Sequence, residues 1–171
     1  MEALKEFTVP LTGLKPGNHS FNYVVGAMFF SHFENSPIQD GSFEVMIILD
    51  RRSNHAYLEF EIKGSYKCYC DRCLVVIDLP IESKSQLILK FEEGEDSDEI
   101  IYLDAKVFEW NAAKIIFELI CLAKPLTNVY DCKGKPCDQV MLKKLNGLEV
   151  GEKTADKLSS IWENLKNIKL N

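Results

Sequence analysis

Regular alternation of apolar and polar residues constrains the fold of this chain more than any other feature. Apolar side chains occupy every second position in two neighbouring segments, residues 43–49 and 58–62. A period of two places these side chains together on one face of a β-sheet. The polar stretch at 51–55 has the length of a hairpin loop. The two segments therefore predict an antiparallel hairpin with one buried face.

Other extended segments enlarge this hairpin into a meander. Their apolar and β-branched residues are bounded by turn-forming residues. Further strands are expected at residues 21–25, 66–70, 74–79, 84–91 and 99–103. An antiparallel sheet of this kind buries one face against the core and leaves the other face open to water.

Helical spacing replaces the strand pattern later in the chain. Between residues 105 and 123 the apolar residues share one broad helical face, with Asp104 as the expected N-cap and Pro125 beyond the end. Shorter helices are expected at residues 27–34, 138–145 and 155–168. The apolar stripe of the last helix has two interpretations: it packs on the sheet, or it binds a partner groove.

These elements predict an α+β protein. We expect a mainly antiparallel β-sheet of about six or seven strands, a central helix packed on it, and short C-terminal helices. The length of 171 residues allows one domain with an appendage. We assign residues 1–130 to the core domain. Residues 131–171 then form a C-terminal cysteine loop and helical extension packed on the same domain.

The apolar segments give no indication of a membrane protein. The longest, residues 115–123, contains Glu118 and is far shorter than the roughly 20 residues that a bilayer span needs. Residues 1–10 include Glu2 and Glu6 and lack the apolar stretch of a secretory signal. The sequence predicts a cytoplasmic protein without a membrane partner.

Four of the six cysteines form two closely spaced pairs. Cys70 and Cys73 have C-x-x-C spacing between two predicted strands, and Cys132 and Cys137 have C-x4-C spacing in a predicted loop. A reducing compartment disfavours disulfides. Four thiolates complete a tetrahedral structural zinc site. The two pairs together therefore predict one zinc ion, with Arg72, Lys133 and Lys135 as nearby cations that lower the thiol pKa.

Two alternatives for the cysteines remain open. In the first, all are reduced thiols, with Cys121 packed in the central helix and Cys68 on its strand. In the second, Cys70 and Cys73 carry redox or other enzymatic chemistry, which is typical of a C-x-x-C motif at a helix N-terminus. Strands flank the motif here, and the sequence contains no G-x-S-x-G or H-E-x-x-H motif, so we expect no enzyme.

The charges are unevenly distributed along the chain. Residues 92–99 contain six acidic residues, and without them the remaining chain has 20 basic and 20 acidic residues. Such a run is typical of a solvated loop, and the alternative is an acidic patch that mimics nucleic acid or receives a basic protein. Only three arginines occur, although arginine is the usual residue for nucleic-acid recognition. The candidate contacts for RNA or another partner are Arg51, Arg52, Arg72, Lys133 and Lys135.

Residues 70–74 read Cys-Asp-Arg-Cys-Leu between two extended segments, and this stretch resembles the C-x-R-C-L signature of the YceD family. Weaker similarity is spread over roughly residues 5–168. It occurs at Phe29–Phe30 and at residues 41–49, 100–104, 122–126 and 162–168. Many family members carry a fuller cysteine-rich C-terminal knuckle, whereas this chain has only Cys132 and Cys137 there.

The resemblance implies a role in accumulation of large-subunit ribosomal RNA and therefore in ribosome biogenesis. It also implies metal binding and nucleic-acid binding, without an established enzymatic activity. Our first hypothesis is a non-enzymatic factor that binds a ribosomal protein or pre-ribosomal particle through the open sheet face or the acidic run. The second is a direct RNA-binding zinc module, and the third is a thiol redox protein or enzyme.

Overall fold

The structure, a computed structural model, describes residues 2–104, 106–129 and 137–148. Its elements in chain order are a 3-10 helix Glu2–Phe7, β1 Thr8–Pro10, β2 Gly17–Val25, α1 Ala27–Phe30, β3 Gly41–Arg51, β4 His55–Tyr69, β5 Val76–Lys90, β6 Ile100–Tyr102, β7 Glu109–Asn111, α2 Ala113–Ala123 and α3 Gln139–Leu148. The α+β class and the mainly antiparallel strands are confirmed. The helix expected at 155–168 lies outside the described residues. None of the described helices has the length and apolar character needed to cross a membrane.

The main sheet has five strands in the order β2-β3-β4-β5-β6, and β1 pairs with β7 in a second, smaller sheet. The first four strands form the antiparallel meander that alternation predicts. β6 instead runs parallel to β5, with Ile88 opposite Ile100. Parallel neighbours usually need a connection of about a dozen residues or more. Here the nine residues 91–99 are enough to connect the two parallel strands, because β6 is short and pairs only with the last three residues of β5.

Strands β4 and β5 are much longer than the sequence pattern suggested. Their pairing runs without interruption from His55 opposite Lys90 to Tyr69 opposite Val76. The sequence pattern predicts separate short strands here, and Gly64 and Pro80 lie in the gaps between them. Both residues lie within the paired region, since Gly64 pairs with Ile81 and Pro80 with Ser65. The resulting long hairpin carries the first cysteine pair at its tip.

One face of the sheet, α1 and α2 form the main apolar core. Phe43, Ile47 and Phe60 of β3 and β4 are completely buried, in agreement with the alternation. Ile116 and Ile120 of α2 belong to the same cluster and are also completely buried. The core therefore lies on the inner face of the sheet, where α2 contributes to it, and the outer face carries the polar residues of each strand.

The predicted helix at 105–123 is wrong in its first half, because α2 begins only at Ala113. Residues 109–111 form β7 instead, with Trp110 opposite Val9 of β1. Asp104 does not cap the helix; its carboxylate accepts a hydrogen bond from the Lys106 N–H at 2.9 Å. Strand pairing and the burial of Trp110 override a helical pattern that was only local.

Candidate metal centre

Three cysteine side chains meet at the tip of the β4–β5 hairpin. The Sγ atoms of Cys70, Cys73 and Cys137 all lie within 4.8 Å of one another, and all three residues are buried. Sulfurs that share one ion at about 2.3 Å stand about 3.8 Å apart in a tetrahedral site. The three thiols are therefore close enough to bind one metal ion. No disulfide joins any of them to another described cysteine.

The first two thiols are positioned by the turn between the strands. The Cys70 N–H donates to the Val75 carbonyl at 2.9 Å, and the Leu74 N–H donates to the Cys70 carbonyl at 2.8 Å. These bonds fold the chain back so that Cys70 and Cys73 point to the same side. Leu74 closes the turn with φ at 60°. This left-handed conformation costs a residue with a side chain about 1–2 kcal/mol, so the surrounding bonds must hold it.

The third thiol arrives from a distant part of the chain. Cys137 precedes α3, and the Asp138 carboxylate accepts a hydrogen bond from the Val140 N–H at 2.8 Å, as an N-cap does. Met141 and Leu142 of the first helical turns pack against the cysteine cluster. The cluster is therefore the place where partly buried side chains of α3 contact the tip of the sheet hairpin.

Polar contacts tie the segment after α2 to the same turn. The Asn128 N–H donates to the Asp71 carboxylate at 2.6 Å, and the Asp71 N–H donates to the Asn128 carbonyl at 2.9 Å. The Tyr66 hydroxyl donates to the Asn128 side-chain oxygen at 2.6 Å. Burial, reinforced by the nearby Cys68 thiol, raises the pKa of Tyr66 to about 12. Tyr66 therefore remains a protonated hydrogen-bond donor.

The remaining thiols behave differently from the cluster. Cys68 and Cys121 are half-buried and belong to no group of potential ligands among the described residues. Burial raises the pKa of both thiols, which favours the neutral form over a metal-binding thiolate. Cys132, the fourth predicted zinc ligand, lies outside the described residues, as do Lys133 and Lys135.

The arginines singled out in the sequence do not converge on one surface. Arg51 stacks on the Phe91 ring at 3.9 Å, and Arg52 pairs with Asp50 at 3.0 Å. Both lie beside the β3–β4 turn, whereas Arg72 is exposed at the opposite end of β4. A strand of 15 residues spans about 45 Å at 3.3 Å per residue. These three arginines therefore form no single phosphate-binding patch.

Sequence reasoning found the three clustered cysteines but missed the groups that support them. The Asp71–Asn128 pair joins residues 57 positions apart. Its only signal in the sequence was an aspartate inside the C-x-x-C turn. The sequence gave no indication that Leu74 adopts a left-handed conformation, because left-handed residues in turns are usually glycine or asparagine.

No family model, curated protein or solved structure matches the chain. The resemblance to the YceD family therefore rests on the residues quoted above and remains a prediction.

We expect Tyr66→Phe to lower the free energy of unfolding by about 1 kcal/mol, because it removes the donor to the Asn128 side chain. Tyr57→Phe is the matched control, since Tyr57 is 43% exposed on the outer sheet face. Urea denaturation of both variants measures the difference. Equal free energies of unfolding for the two variants would mean that the hydrogen bond from Tyr66 to Asn128 does not stabilise the fold.

Proposed function

We propose that the protein is a non-enzymatic, zinc-stabilised factor in ribosome biogenesis, which supports accumulation of large-subunit ribosomal RNA by binding a ribosomal protein or precursor particle. The observation that carries the proposal is the closed cluster of Cys70, Cys73 and Cys137. The C-x-R-C-L stretch that resembles the YceD family forms the centre of this cluster. Cys137 and α3 then belong to the same folded unit as the core.

Zinc is the metal that best suits the cluster. Thiolate-rich tetrahedral sites are typical of zinc, and Cys132 is the residue that would supply the fourth sulfur of such a site. A catalytic zinc ion keeps one position open for water or substrate. Here the three described thiols are at most 7% exposed, which favours a structural role and a function in binding.

A groove on the outer sheet face supports a basic protein as the partner. The groove has a volume of about 560 Å³, and Ile48, Tyr57 and Ile88 contribute apolar surface to it. Asp50 and Arg52 line it as an ion pair, whereas Glu59 and Glu99 line it and form no salt bridge with another described residue. These carboxylates attract lysine and arginine side chains and repel phosphates.

The acidic run at residues 92–99, next to the groove, also favours a basic partner. Residues 92–99 are exposed and follow β5 directly, and Glu99 is both the last of them and a lining residue of the groove. The Asp96 carboxylate accepts a hydrogen bond from the Tyr102 N–H at 2.7 Å, which ties the run to β6. Together, the groove and the run favour a ribosomal protein over direct RNA binding.

Copurification of the tagged full-length protein from cell extract tests this function. We expect ribosomal proteins or precursor particles to copurify, and at least one ribosomal protein to remain bound after nuclease treatment. Glu59→Lys should weaken that association, because it introduces a cation into the acidic groove. Glu109→Lys, an exposed change on β7 outside the groove, is the matched control.

Two results would contradict the proposal. Complete loss of association after nuclease treatment would favour direct RNA binding. In that case affinity should fall with salt, with a log-log slope of about −0.7 per phosphate contact on single strands. Absence of any ribosomal component, with zinc still bound, would reject the biological role and leave the metal site intact.

A further inference from the structure

Among the described residues, the strand β2 forms a free edge of the main sheet. It runs over nine residues, Gly17–Val25, and pairs with β3 along its whole length without a bulge. No other strand in the described part of the chain pairs with its second edge. A free edge presents a row of N–H and C=O groups that can pair with another chain.

β2 lacks the features by which proteins usually protect such an edge. Natural edges are kept short or carry lysine, proline or a bulge. The other described edge strands follow this rule: β6, β1 and β7 have three residues each, with Pro10 in β1 and Glu109 in β7. β2 is three times longer and contains no charged residue and no proline.

The sequence of β2 is complementary to itself when two copies are antiparallel. With a two-fold axis at Phe21, each His19 lies opposite Tyr23 of the second copy and the two Phe21 side chains face each other. All of these residues are on the inner face and are only partly buried in one chain. Aromatic cross-strand pairs stabilise a sheet by about 0.2–1 kcal/mol each.

The residues that flank β2 limit the pairing symmetrically. Pro16 and Gly26 each lie five positions from Phe21, so the axis places Pro16 opposite Gly26 of the second copy. Proline has no N–H to donate, so pairing ends there. The paired segment then matches the nine residues of β2 in both copies.

We propose that the protein forms a symmetric homodimer in which the β2 strands of two copies pair antiparallel about Phe21 and join their sheets. The interface is isologous, as is usual for two-fold dimers. This inference rests on neither the metal ion nor the ribosomal partner, and Asn18 is the one residue of β2 that also lines the outer-face groove.

Two pairs of substitutions on the outer face test the dimer and its register. Ser20 and Asn22 are exposed, and the proposed axis places each opposite the other residue of the second copy. In Ser20→Lys/Asn22→Lys the new ammonium groups oppose one another twice, and we expect a dissociation constant at least about tenfold higher. In Ser20→Lys/Asn22→Glu each ammonium group faces a carboxylate of the second copy. We expect the dissociation constant of this variant to be close to that of the wild type.

Sedimentation equilibrium of the full-length protein measures these constants, with Gln86→Lys as the control. Gln86 is exposed on β5, away from the edge, so its substitution adds charge without touching the interface. We expect dimers for the wild type, the control and Ser20→Lys/Asn22→Glu. A monomeric wild type, or an unchanged constant in Ser20→Lys/Asn22→Lys, would overturn the proposal. A monomeric Ser20→Lys/Asn22→Glu variant would overturn the register.

Amide hydrogen exchange on the unmodified protein provides a second test that needs no variant. We expect protection of amides within residues 17–25 to increase with protein concentration, because pairing protects the edge-facing N–H groups of β2. The same protein concentrations are used as in sedimentation equilibrium. If the exchange rates of the β2 amides do not depend on concentration over this range, the dimer is also overturned.

Discussion

Removing the proposed zinc ion is expected to lower the melting temperature of the protein by about 10 °C. A ligand present at 1,000 times its dissociation constant stabilises the folded state by about 4 kcal/mol, and each kcal/mol corresponds to about 2–4 °C for a chain of this size. The loss should be partial, because the sheet and α2 have their own apolar core. Thermal denaturation with and without a strong chelator measures this change.

The same site predicts the zinc content of single-cysteine variants. Wild-type protein purified without added zinc should contain about one zinc ion per chain, and Cys70→Ser, Cys137→Ser and Cys132→Ser should each contain about a tenth of that or less. Cys121→Ser is the matched control, because Cys121 is a half-buried thiol on α2 outside the cluster. It should retain all of the zinc.

Distinct outcomes identify which part of the site is wrong. Full zinc content in Cys70→Ser or Cys137→Ser would refute a site built on the three described thiols. Full content in Cys132→Ser alone would keep those ligands and assign the fourth position to another group. An unchanged melting temperature in the metal-free protein would show that the metal does not stabilise the fold.

The main sheet was predictable from sequence because burial on one face imposes a local period of two. Residues 43–49 and 58–62 show this period, and the apolar residues at every second position, such as Phe43, Ile47 and Phe60, are buried in the core. The start of α2 was not predictable in this way. The pairing of Trp110 with Val9 joins residues about a hundred positions apart, and such a contact leaves no periodic trace in a single sequence.

The cysteine cluster was predictable for a different reason. The spacing of Cys70 and Cys73 limits the turn that connects them, and a second pair supplies the ligands that one pair lacks. The proximity of Cys137 to this turn, 64 residues further along the chain, follows only from the fold. Supporting groups such as Asn128 depend on that same fold, so their role became visible only with the structure.

Gly64→Ala is expected to lower the free energy of unfolding by about 3 kcal/mol, which is at the upper end for overpacking a core position. Gly64 lies opposite Phe43 in the β3–β4 pair. A Cβ atom there would lie 2.6 Å from the Phe43 ring and 2.7 Å from the Phe43 Cα, and would also clash with the Ser42 carbonyl oxygen. Two of these atoms belong to the backbone of β3, so relief requires the strands to separate.

Gly26→Ala is the control, and urea denaturation of both variants measures the difference. A Cβ atom at Gly26 would contact nothing within 4 Å, so its substitution should change stability by less than about 0.5 kcal/mol. Comparable stability of the two variants would contradict the close approach of β3 and β4 at this point. A large loss confined to Gly64→Ala would instead explain why glycine interrupts the alternating pattern inside the longest hairpin: Phe43 fills the space that a side chain would need.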